Sequence, residues 1–186
     1  MKSLKQFMEE LSMVTIVMIG GPGSGKSTYS KYISGHFDIP HIYTGDMMRD
    51  LQKKDPEVAK IMDRGDLVPI EKVMKALKDR LGKDDTDNGY ILDGFPRNMK
   101  QLTRMKQENI DYKYVVYLNV SEKEVIKRLT ARGRKDDKPE IIKNRLKVYH
   151  RETAPLLTYY KDEIINIKAE GSTPEKISKE IIGKIQ

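Results

Sequence analysis

Short apolar runs recur along the chain and alternate with longer segments of helical spacing. Five runs have the length and the β-branched or aromatic content of strands: VTIVMI, HIY, YIL, YVVYLN and IINIK. Strands that alternate with helices pair in parallel and carry the helices on the faces of the sheet. The pattern therefore predicts an α/β fold with three layers, α/β/α, around a five-stranded parallel sheet.

Two helix starts are visible in the segments between these runs. Ser121 with Glu124 three residues on has the form of a capping box, and Val125 and Leu129 then repeat on one helical face. A proline is favoured at the first position of a helix, so the last helix is expected to begin near Pro174.

The chain shows no internal repeat, low-complexity tract or long linker. We therefore expect one domain over residues 14–186, interrupted by two insertions. One covers about 44–74 after the second strand, and the other covers about 131–138 after the capped helix.

Residues 1–13 form an N-terminal extension ahead of the first strand. An apolar stripe at helical spacing predicts a helix there, formed by Leu4, Phe7, Met8 and Leu11. The stripe is expected to pack on its own domain, with a contact to a second subunit as the alternative.

The stretch GGPGSGKST, Gly20 to Thr28, follows the first apolar run and fits the spacing G-x-x-x-x-G-K-[ST]. Glycines allow the backbone to turn so that its N–H groups converge on phosphate oxygens at the start of the next helix. Lys26 would then reach the β- and γ-phosphates of a nucleotide, and Ser27 the Mg²⁺. A nucleotide-binding loop of the P-loop NTPase type is therefore predicted.

Composition limits the class of protein. A length of 186 residues with 38% hydrophobic content suits one domain with a sizeable core. No apolar run has membrane-spanning length, and Glu9 and Glu10 lie where a signal peptide would need its apolar core, so a cytoplasmic protein is expected. Because cysteine is absent, disulfides and thiolate zinc sites are excluded, and any metal must be held by oxygen or histidine.

The net charge of +7 raises the question of a nucleic-acid or membrane partner. The lysines between Glu122 and Arg151 are typical of a solvated helix face. The cations that could meet phosphate are more numerous than one triphosphate needs: Lys26, Arg49, Arg97, Arg128, Arg132, Arg134 and Arg145. Guanidinium groups suit phosphate well, so the excess indicates a second phosphorylated ligand.

Asp93 directly follows the third run, at the edge where open α/β sheets bind ligands, and is predicted to hold Mg²⁺ through water. No convincing nucleophile or general base accompanies it, and His36, His41 and His150 are interpreted as surface or helix-packing residues. An acceptor that is itself a phosphate is already ionised and needs no base. Catalysis would then consist of alignment, charge neutralisation and exclusion of water.

Several motifs together resemble the adenylate kinase family. They are GGPGSGKST, YTGDMMR, RGDLVP, DGFPR followed by Gln101, and GRKDD with NRLKVYHRETAPLLTYY, in the same order from about Val14 to the C-terminus. The resemblance implies reversible phosphoryl transfer from MgATP to AMP, giving two ADP. It also implies that the first insertion is a helical NMP-binding insertion and that the second is a lid.

The resemblance assigns residues to each ligand. ATP would be held by Gly23, Ser24, Gly25, Lys26, Ser27, Thr28, Arg128, Arg132 and Gly171, the last at the base. AMP would be held by Thr44, Gly45, Arg49, Asp66, Leu67, Val68, Gly94, Phe95, Pro96, Arg97, Gln101, Arg134 and Arg145. The catalytic residues would be Lys26, Arg97, Arg128, Arg132, Arg134 and Arg145, and the Mg²⁺ residues would be Ser27 and, through water, Asp93.

Two positions depart from the family pattern. Ser27 stands where the family most often has glycine, so the division of Mg²⁺ contacts between Ser27 and Thr28 stays open. Only Gly133 separates Arg132 from Arg134, so the lid is minimal and cannot bind zinc. Asp136 and Asp137 are expected to orient the arginines rather than touch substrate. The insertion over 44–74 is expected to carry more of the closure that excludes water.

Three alternatives were weighed against this function. A UMP/CMP kinase is disfavoured by Thr44 and Gln101. A guanine-binding switch should carry N-K-x-D, which is absent, and a nucleic-acid-binding module should interleave basic and aromatic residues. The expected partners are therefore ATP and AMP, with no nucleic acid and no membrane. A monomer is favoured over a homo-oligomer formed through the N-terminal extension.

Overall fold

The computed structural model describes residues 13–185, so the helix predicted for the N-terminal extension lies outside the described residues. Within the described part, one sheet contains the strands β1 (Val14–Gly20), β2 (His41–Tyr43), β3 (Gly89–Asp93), β4 (Tyr114–Asn119) and β5 (Ile164–Lys168). Their order is β2-β3-β1-β4-β5 and every neighbouring pair is parallel. The predicted five-stranded parallel sheet is confirmed.

Helices connect the strands. They are α1 (Lys26–Phe37), α2 (Thr44–Gln52), α3 (Pro56–Asp63), α4 (Ile70–Leu81), α5 (Met99–Gln107), α6 (Glu122–Arg132), α7 (Pro139–Val148), α8 (Ala154–Tyr159) and α9 (Pro174–Ile185). A single 3₁₀ turn, Asp84–Thr86, precedes β3. None of the helices in the described part of the chain combines the length and the apolar character needed to cross a bilayer.

The core lies on both faces of the sheet. Successive residues of β1 point to opposite faces, and Ile16 and Val17 are both fully buried, each in a different apolar cluster. Helices α1 and α9 add Ile33 and Ile181 to the cluster of Ile16, while α5 adds Leu102 to the cluster of Val17. Helices therefore cover both faces, which confirms the three-layer architecture.

The predicted helix starts are observed, with one difference in detail. Helix α9 begins at Pro174, and the Ser121 Oγ accepts from the backbone N–H of Glu124 at 3.4 Å. The backbone N–H of Ser121, however, donates to Glu170 rather than to Glu124, at 3.1 Å. The reciprocal half of the capping box is absent because the Glu124 carboxylate accepts from Arg128 one turn along the helix.

The carboxyl ends of β1, β2 and β3 lie at one edge of the sheet, and the segments that follow them form the site described below. Residues 21–25 join β1 to α1, β2 runs directly into α2, and Asp93 ends β3. Helices α2, α3 and the start of α4 occupy the predicted insertion over 44–74. The predicted lid is reduced to the loop 133–138 between α6 and α7.

A widened helical turn, Tyr149–Thr153, joins α7 to α8 and was not predicted from the sequence. Pro155 has no N–H to donate to the carbonyl four residues earlier, so a regular helix cannot continue through it unchanged. The turn places Thr153 where its Oγ1 donates to the backbone carbonyl of Arg97 at 2.7 Å. This segment therefore supports the site described next.

Candidate active site

The loop between β1 and α1 packs tightly against α6. Gly23 has φ +77°, and a Cβ there would lie 2.8 Å from Cγ of Leu129, so only glycine fits. The loop turns where Ser24 N donates to Gly21 O at 3.2 Å, and α1 then begins at Lys26. The N-terminus of α1 therefore lies at the carboxyl edge of the sheet, where its unpaired N–H groups favour an anion.

Lys26 folds back onto this loop. Its Nζ donates to Gly20 O at 2.7 Å and to Gly21 O at 2.9 Å. Burial lowers the pKa of Lys26 to about 8; the positive charge of Arg97 adds to the decrease and the negative charge of Asp93 opposes it. A phosphate beside Lys26 would relieve this penalty, because an opposite charge favours the ammonium form.

Asp93 is fully buried beside the P-loop. Its Oδ2 accepts from Ser27 Oγ at 2.5 Å and lies 3.1 Å from Nε2 of His41. Burial acts to raise the pKa of Asp93, but the hydrogen bonds from His41 and Ser27 and the charge of Lys26 hold it below its ordinary value. Its Oδ1 is buried without a hydrogen-bond partner among residues 13–185. An unpaired carboxylate oxygen next to a hydroxyl fits a hydrated Mg²⁺, which prefers oxygen ligands and retains water.

The P-loop, Asp93 and the insertion border a cavity of about 510 Å³. The seven cations singled out from the sequence all line it: Lys26, Arg49, Arg97, Arg128, Arg132, Arg134 and Arg145. They come from helices α1, α2, α6 and α7 and from two loops that are distant along the chain. The cavity thus concentrates positive charge far beyond what its carboxylates neutralise, as a site for two phosphorylated ligands requires.

One wall of the cavity is formed by the end of β3 and the start of α5. Thr44 Oγ1 lies within hydrogen-bond distance of the carbonyls of Asp93 and Gly94, at 3.0 and 2.9 Å. Arg97 Nε donates to Gly94 O at 2.8 Å, and the backbone N–H of Arg97 donates to Gln101 Oε1 at 2.7 Å. The amide oxygen of Gln101 is thus engaged within the protein, and its NH₂ group is the end left to meet a ligand.

A buried carboxylate binds the arginines at the loop 133–138. Asp137, whose side chain is 1% exposed, accepts from Nε and Nη2 of Arg132 at 2.8 and 2.6 Å and from the backbone N–H of Arg134 at 3.0 Å. Arg145 Nη1 donates to Asp136 at 3.0 Å and lies 3.5 Å from Asp137. Burial acts to raise the pKa of Asp137, but Arg132 holds it below its ordinary value. Both aspartates contact arginines, and Asp136 also lines the cavity, so the expectation that they orient the arginines rather than touch substrate stays a prediction.

The opposite wall is built around Arg128. Its Nη2 donates to Ala169 O at 2.9 Å and its Nε to Glu124 at 2.9 Å, so the guanidinium bridges α6 and the segment after β5. Arg128 also borders an adjoining groove of about 830 Å³ that is lined by Gly171. The predicted position of Gly171 beside the ATP base therefore lies next to the main cavity, not within it.

The other predicted site residues form two groups: those that line the cavity and those that are buried behind its wall. Lining the cavity are Gly23, Gly25, Ser27, Thr28, Thr44, Gly45, Asp66, Leu67, Val68, Asp93, Gly94, Pro96 and Gln101. Ser24 and Phe95 do not line it, since they are 1% and 0% exposed. Phe95 belongs to the apolar core behind the wall, so its side chain does not reach the cavity.

Two residues at the site were missed from the sequence. The interpretation of His41 as a surface or helix-packing residue is wrong, since it lies on β2 beside Asp93. Tyr43 pairs in register with Asp93 across β2 and β3, lines the cavity, and carries the guanidinium of Arg49 5.0 Å from its ring centre. The register of β2 against β3 brings both residues to Asp93, and no local sequence pattern encodes that register.

Taken together, a P-loop at the carboxyl edge of a parallel sheet faces an arginine-lined wall across one cavity. This arrangement defines a P-loop phosphotransferase whose acceptor is anionic.

Comparison with known proteins identifies the family. The sequence model described as adenylate kinase matches residues 18–165. An adenylate kinase of Mycobacterium sp. (strain MCS) is 40% identical over 168 residues, which cover 86% of this chain and 93% of that protein. One of Corynebacterium diphtheriae is 40% identical over 178 residues, which cover 91% of this chain and 98% of that protein. The chain belongs to the adenylate kinase family.

Proposed function

We propose that the protein transfers the γ-phosphoryl group of MgATP to AMP, reversibly, and gives two ADP. The observation that carries this proposal is the single cavity in which the P-loop lysine and six arginines converge. Membership of the adenylate kinase family supports the same reaction.

The mechanism needs no general base. The oxygens of an acceptor phosphate are ionised near neutral pH, so attack on the γ-phosphorus requires no proton transfer. The protein must instead align the two phosphates, neutralise their repulsion and exclude water. Lys26 and the arginines supply the charge, and the wall from Thr44 to Gln101 supplies the alignment.

We propose the following division of the site. On the donor side, residues 23–28 hold the ATP phosphates, Arg128 and Arg132 cover them, and Gly171 borders the base. On the acceptor side, the AMP-binding residues are Thr44, Gly45, Arg49, Asp66, Leu67, Val68, Gly94, Pro96, Arg97 and Gln101. Arg134 and Arg145 bridge the acceptor phosphate and the transferred group.

The residues at the donor phosphates also suit a metal. We propose that Ser27 and Asp93 hold the Mg²⁺ that accompanies ATP, with Asp93 acting through water. When bound, the ion would neutralise charge on the phosphates. The unpaired Oδ1 of Asp93 is the structural support for this assignment.

The proposed partners follow from the site. Both ligands are nucleotides, and we propose a monomer that acts on cytoplasmic ATP and AMP without nucleic acid or a membrane. A homo-oligomer through residues 1–12 remains the alternative arrangement.

A coupled assay for ADP tests the function. The protein is incubated with ATP and AMP, and parallel reactions contain ATP alone, ATP with single-stranded RNA, and ATP with CMP or UMP. We expect ADP formation that depends on AMP. Release of phosphate from ATP alone would indicate a nucleotide switch, stimulation by RNA would indicate a nucleic-acid module, and preference for CMP or UMP would indicate a pyrimidine kinase.

A further inference from the structure

The turn that links α3 to α4 rests on α7, a helix about 80 residues further along the chain. The side-chain amide of Asn144 donates from Nδ2 to the backbone carbonyl of Arg64 at 2.6 Å and to Oδ1 of Asp66 at 3.0 Å. One amide group on α7 thus binds both ends of the turn 64–66.

The contact is close enough to restrict the sequence of the turn. Gly65 has φ +80°, and a Cβ there would lie 2.8 Å from Cγ of Arg145 and 3.3 Å from Cγ2 of Ile141. A side chain at residue 65 would therefore need an unfavourable backbone conformation and would also push the turn away from α7. The glycine lets the backbone of the insertion touch the helix directly.

The residues next to each partner in this contact line the cavity. On one side, Leu67 and Val68 follow Asp66 directly and line the proposed AMP site. On the other side, Arg145 follows Asn144 on α7, lines the same cavity and donates to Asp136 in the lid loop. The Asn144 contact is thus one residue away from both walls of the acceptor site.

The charge state of Asp66 agrees with a formed contact. The hydrogen bond from Asn144, helped by Arg64 and opposed by burial, holds the pKa of Asp66 below its ordinary value. The carboxylate is therefore ionised at neutral pH and accepts from the amide as a charged acceptor, which gives a stronger hydrogen bond than a neutral one.

We propose that Asn144 is a positioning residue for the acceptor nucleotide. By holding the turn 64–66 on α7, it fixes the separation between the Leu67–Val68 wall and the Arg145 guanidinium, so that one AMP meets both. This role rests on the proposed function, since it presumes that AMP occupies this side of the cavity.

The test compares Asn144→Ala and Asn144→Asp with wild type, using Lys143→Ala as the control on an exposed position of the same helix. Asn144→Ala loses two hydrogen bonds, one to the Arg64 carbonyl and one to the charged Asp66 carboxylate. We expect this loss to raise KM for AMP by about threefold to tenfold, with KM for ATP within about twofold of wild type. Asn144→Asp should be worse than Asn144→Ala, because it sets a second carboxylate against Asp66. Equal KM values for AMP in wild type and both variants, or equal increases in KM for AMP and ATP, would overturn the proposal.

A double variant, in which a second substitution compensates for the first, distinguishes a positioning role of Asn144 from general destabilisation of the protein. In the double variant Asn144→Asp with Asp66→Asn, the amide at residue 66 can donate to the carboxylate at residue 144, while the contact to the Arg64 carbonyl stays lost. We therefore expect KM for AMP to fall part of the way from the Asn144→Asp value toward the wild-type value. A double variant as poor as Asn144→Asp alone would count against the contact.

Hydrogen exchange tests the Asn144 contact without any measurement of enzyme activity. Amides of residues 58–68 should exchange faster in Asn144→Ala than in wild type, while those of β1 and β3 stay unchanged. If the wild-type protein makes no ADP from ATP and AMP, the proposed function fails, and exchange alone then decides whether Asn144 holds the turn. Unchanged exchange over 58–68 would refute the contact whatever the activity.

Discussion

Lys26 shows how one residue can favour function at the expense of stability. Its pKa falls from an ordinary 10.5 to about 8, chiefly because the ammonium group is buried; Asp93 opposes the decrease and Arg97 adds to it. Below pH 8 both the folded and the unfolded chain carry the proton, and the folded state bears the cost of the buried charge. Between pH 8 and 10.5 the unfolded chain keeps a proton that the folded chain has lost, so this group makes the free energy of unfolding rise with pH.

Comparison with Lys26→Met isolates this contribution. We expect the free energy of unfolding of nucleotide-free wild type, relative to the variant, to rise between pH 8 and 10.5 by about 1–3 kcal/mol. Urea unfolding at each pH measures this rise. The control is Lys31→Met, at an exposed position on the same helix: we expect no such rise in wild type relative to this variant. A difference in free energy of unfolding between wild type and Lys26→Met that stays constant from pH 8 to 10.5 would contradict the lowered pKa of Lys26.

Arg97 and Arg134 are proposed to act on the phosphates rather than on the fold. Arg97→Ala or Arg134→Ala should slow turnover by roughly 10³–10⁵, the range found for arginines that act on transferring phosphoryl groups. Arg104→Ala is the control, because Arg104 lies on α5 close to Arg97 in sequence but pairs with Glu108 at the surface. Measurement of kcat together with the melting temperature decides the matter, and near-normal turnover in both variants would end the acceptor-site assignment.

Gln101 is proposed to recognise the base of the acceptor nucleotide. Its amide oxygen accepts from the backbone N–H of Arg97, so its NH₂ group is oriented as a donor, which suits the ring-nitrogen acceptor of adenine. Asparagine is one methylene shorter and cannot reach both partners. We expect Gln101→Asn to lose selectivity for AMP over CMP by about 1–3 kcal/mol, the cost of unpaired buried polar groups.

The ratio of kcat/KM for AMP and CMP in wild type and variant measures this loss. Gln107→Asn, exposed at the end of the same helix, is the matched control and should keep the wild-type ratio. A Gln101→Asn variant with the wild-type ratio would remove Gln101 from base recognition.

At the scale of elements, the predicted lid is the loop 133–138, in which Asp137 binds Arg132 and the backbone of Arg134. Because Asp137 is buried and binds Arg132 through two hydrogen bonds, Asp137→Asn leaves like charges close together without their counter-charge. We expect kcat to fall about 10- to 100-fold, since misplaced charge-neutralising groups lose transition-state stabilisation. Asp136→Asn should have a smaller effect, because Asp136 is less buried and contacts Arg145 alone among the arginines.

The pH dependence of stability gives a second measurement of Asp137. Its pKa is lowered in the folded state, so its stabilising contribution is present above its ordinary pKa of 3.8 and is lost as pH falls through the lowered value. The difference in free energy of unfolding between wild type and Asp137→Asn should therefore shrink in acid. A difference that is constant down to low pH would show that the carboxylate charge is not involved.

The elements themselves were largely predictable, and the exceptions have physical reasons. The apolar runs predicted all five strands because strands buried on both faces need continuous apolar sequence. Only one half of the predicted capping box forms, because the Glu124 carboxylate accepts from Arg128 instead of from the backbone N–H of Ser121. The widened turn at Tyr149–Thr153 could not be predicted, because its cause, Pro155, is compatible with several local distortions.

At the scale of the whole molecule, the site is a consequence of topology. The carboxyl ends of parallel strands meet at one edge, so residues after β1, β2 and β3 converge although they lie far apart in sequence. Lys26, Arg49 and Arg97 follow these strands, and the four arginines that complete the cavity follow β4. The sequence identified all seven as cations that could meet phosphate. His41, Tyr43 and Asn144 were missed because their roles depend on strand register and on packing between the insertion and α7, which no local pattern encodes.

The central claim is that two nucleotides meet in this cavity and exchange a phosphoryl group. The most direct measurement starts from ADP alone with Mg²⁺ and follows all nucleotides by chromatography until equilibrium. The account predicts that ATP and AMP appear in equal amounts, with no release of inorganic phosphate, and that the Lys26→Met variant produces neither. Unchanged ADP with wild type, or ADP loss accompanied by free phosphate, would contradict it.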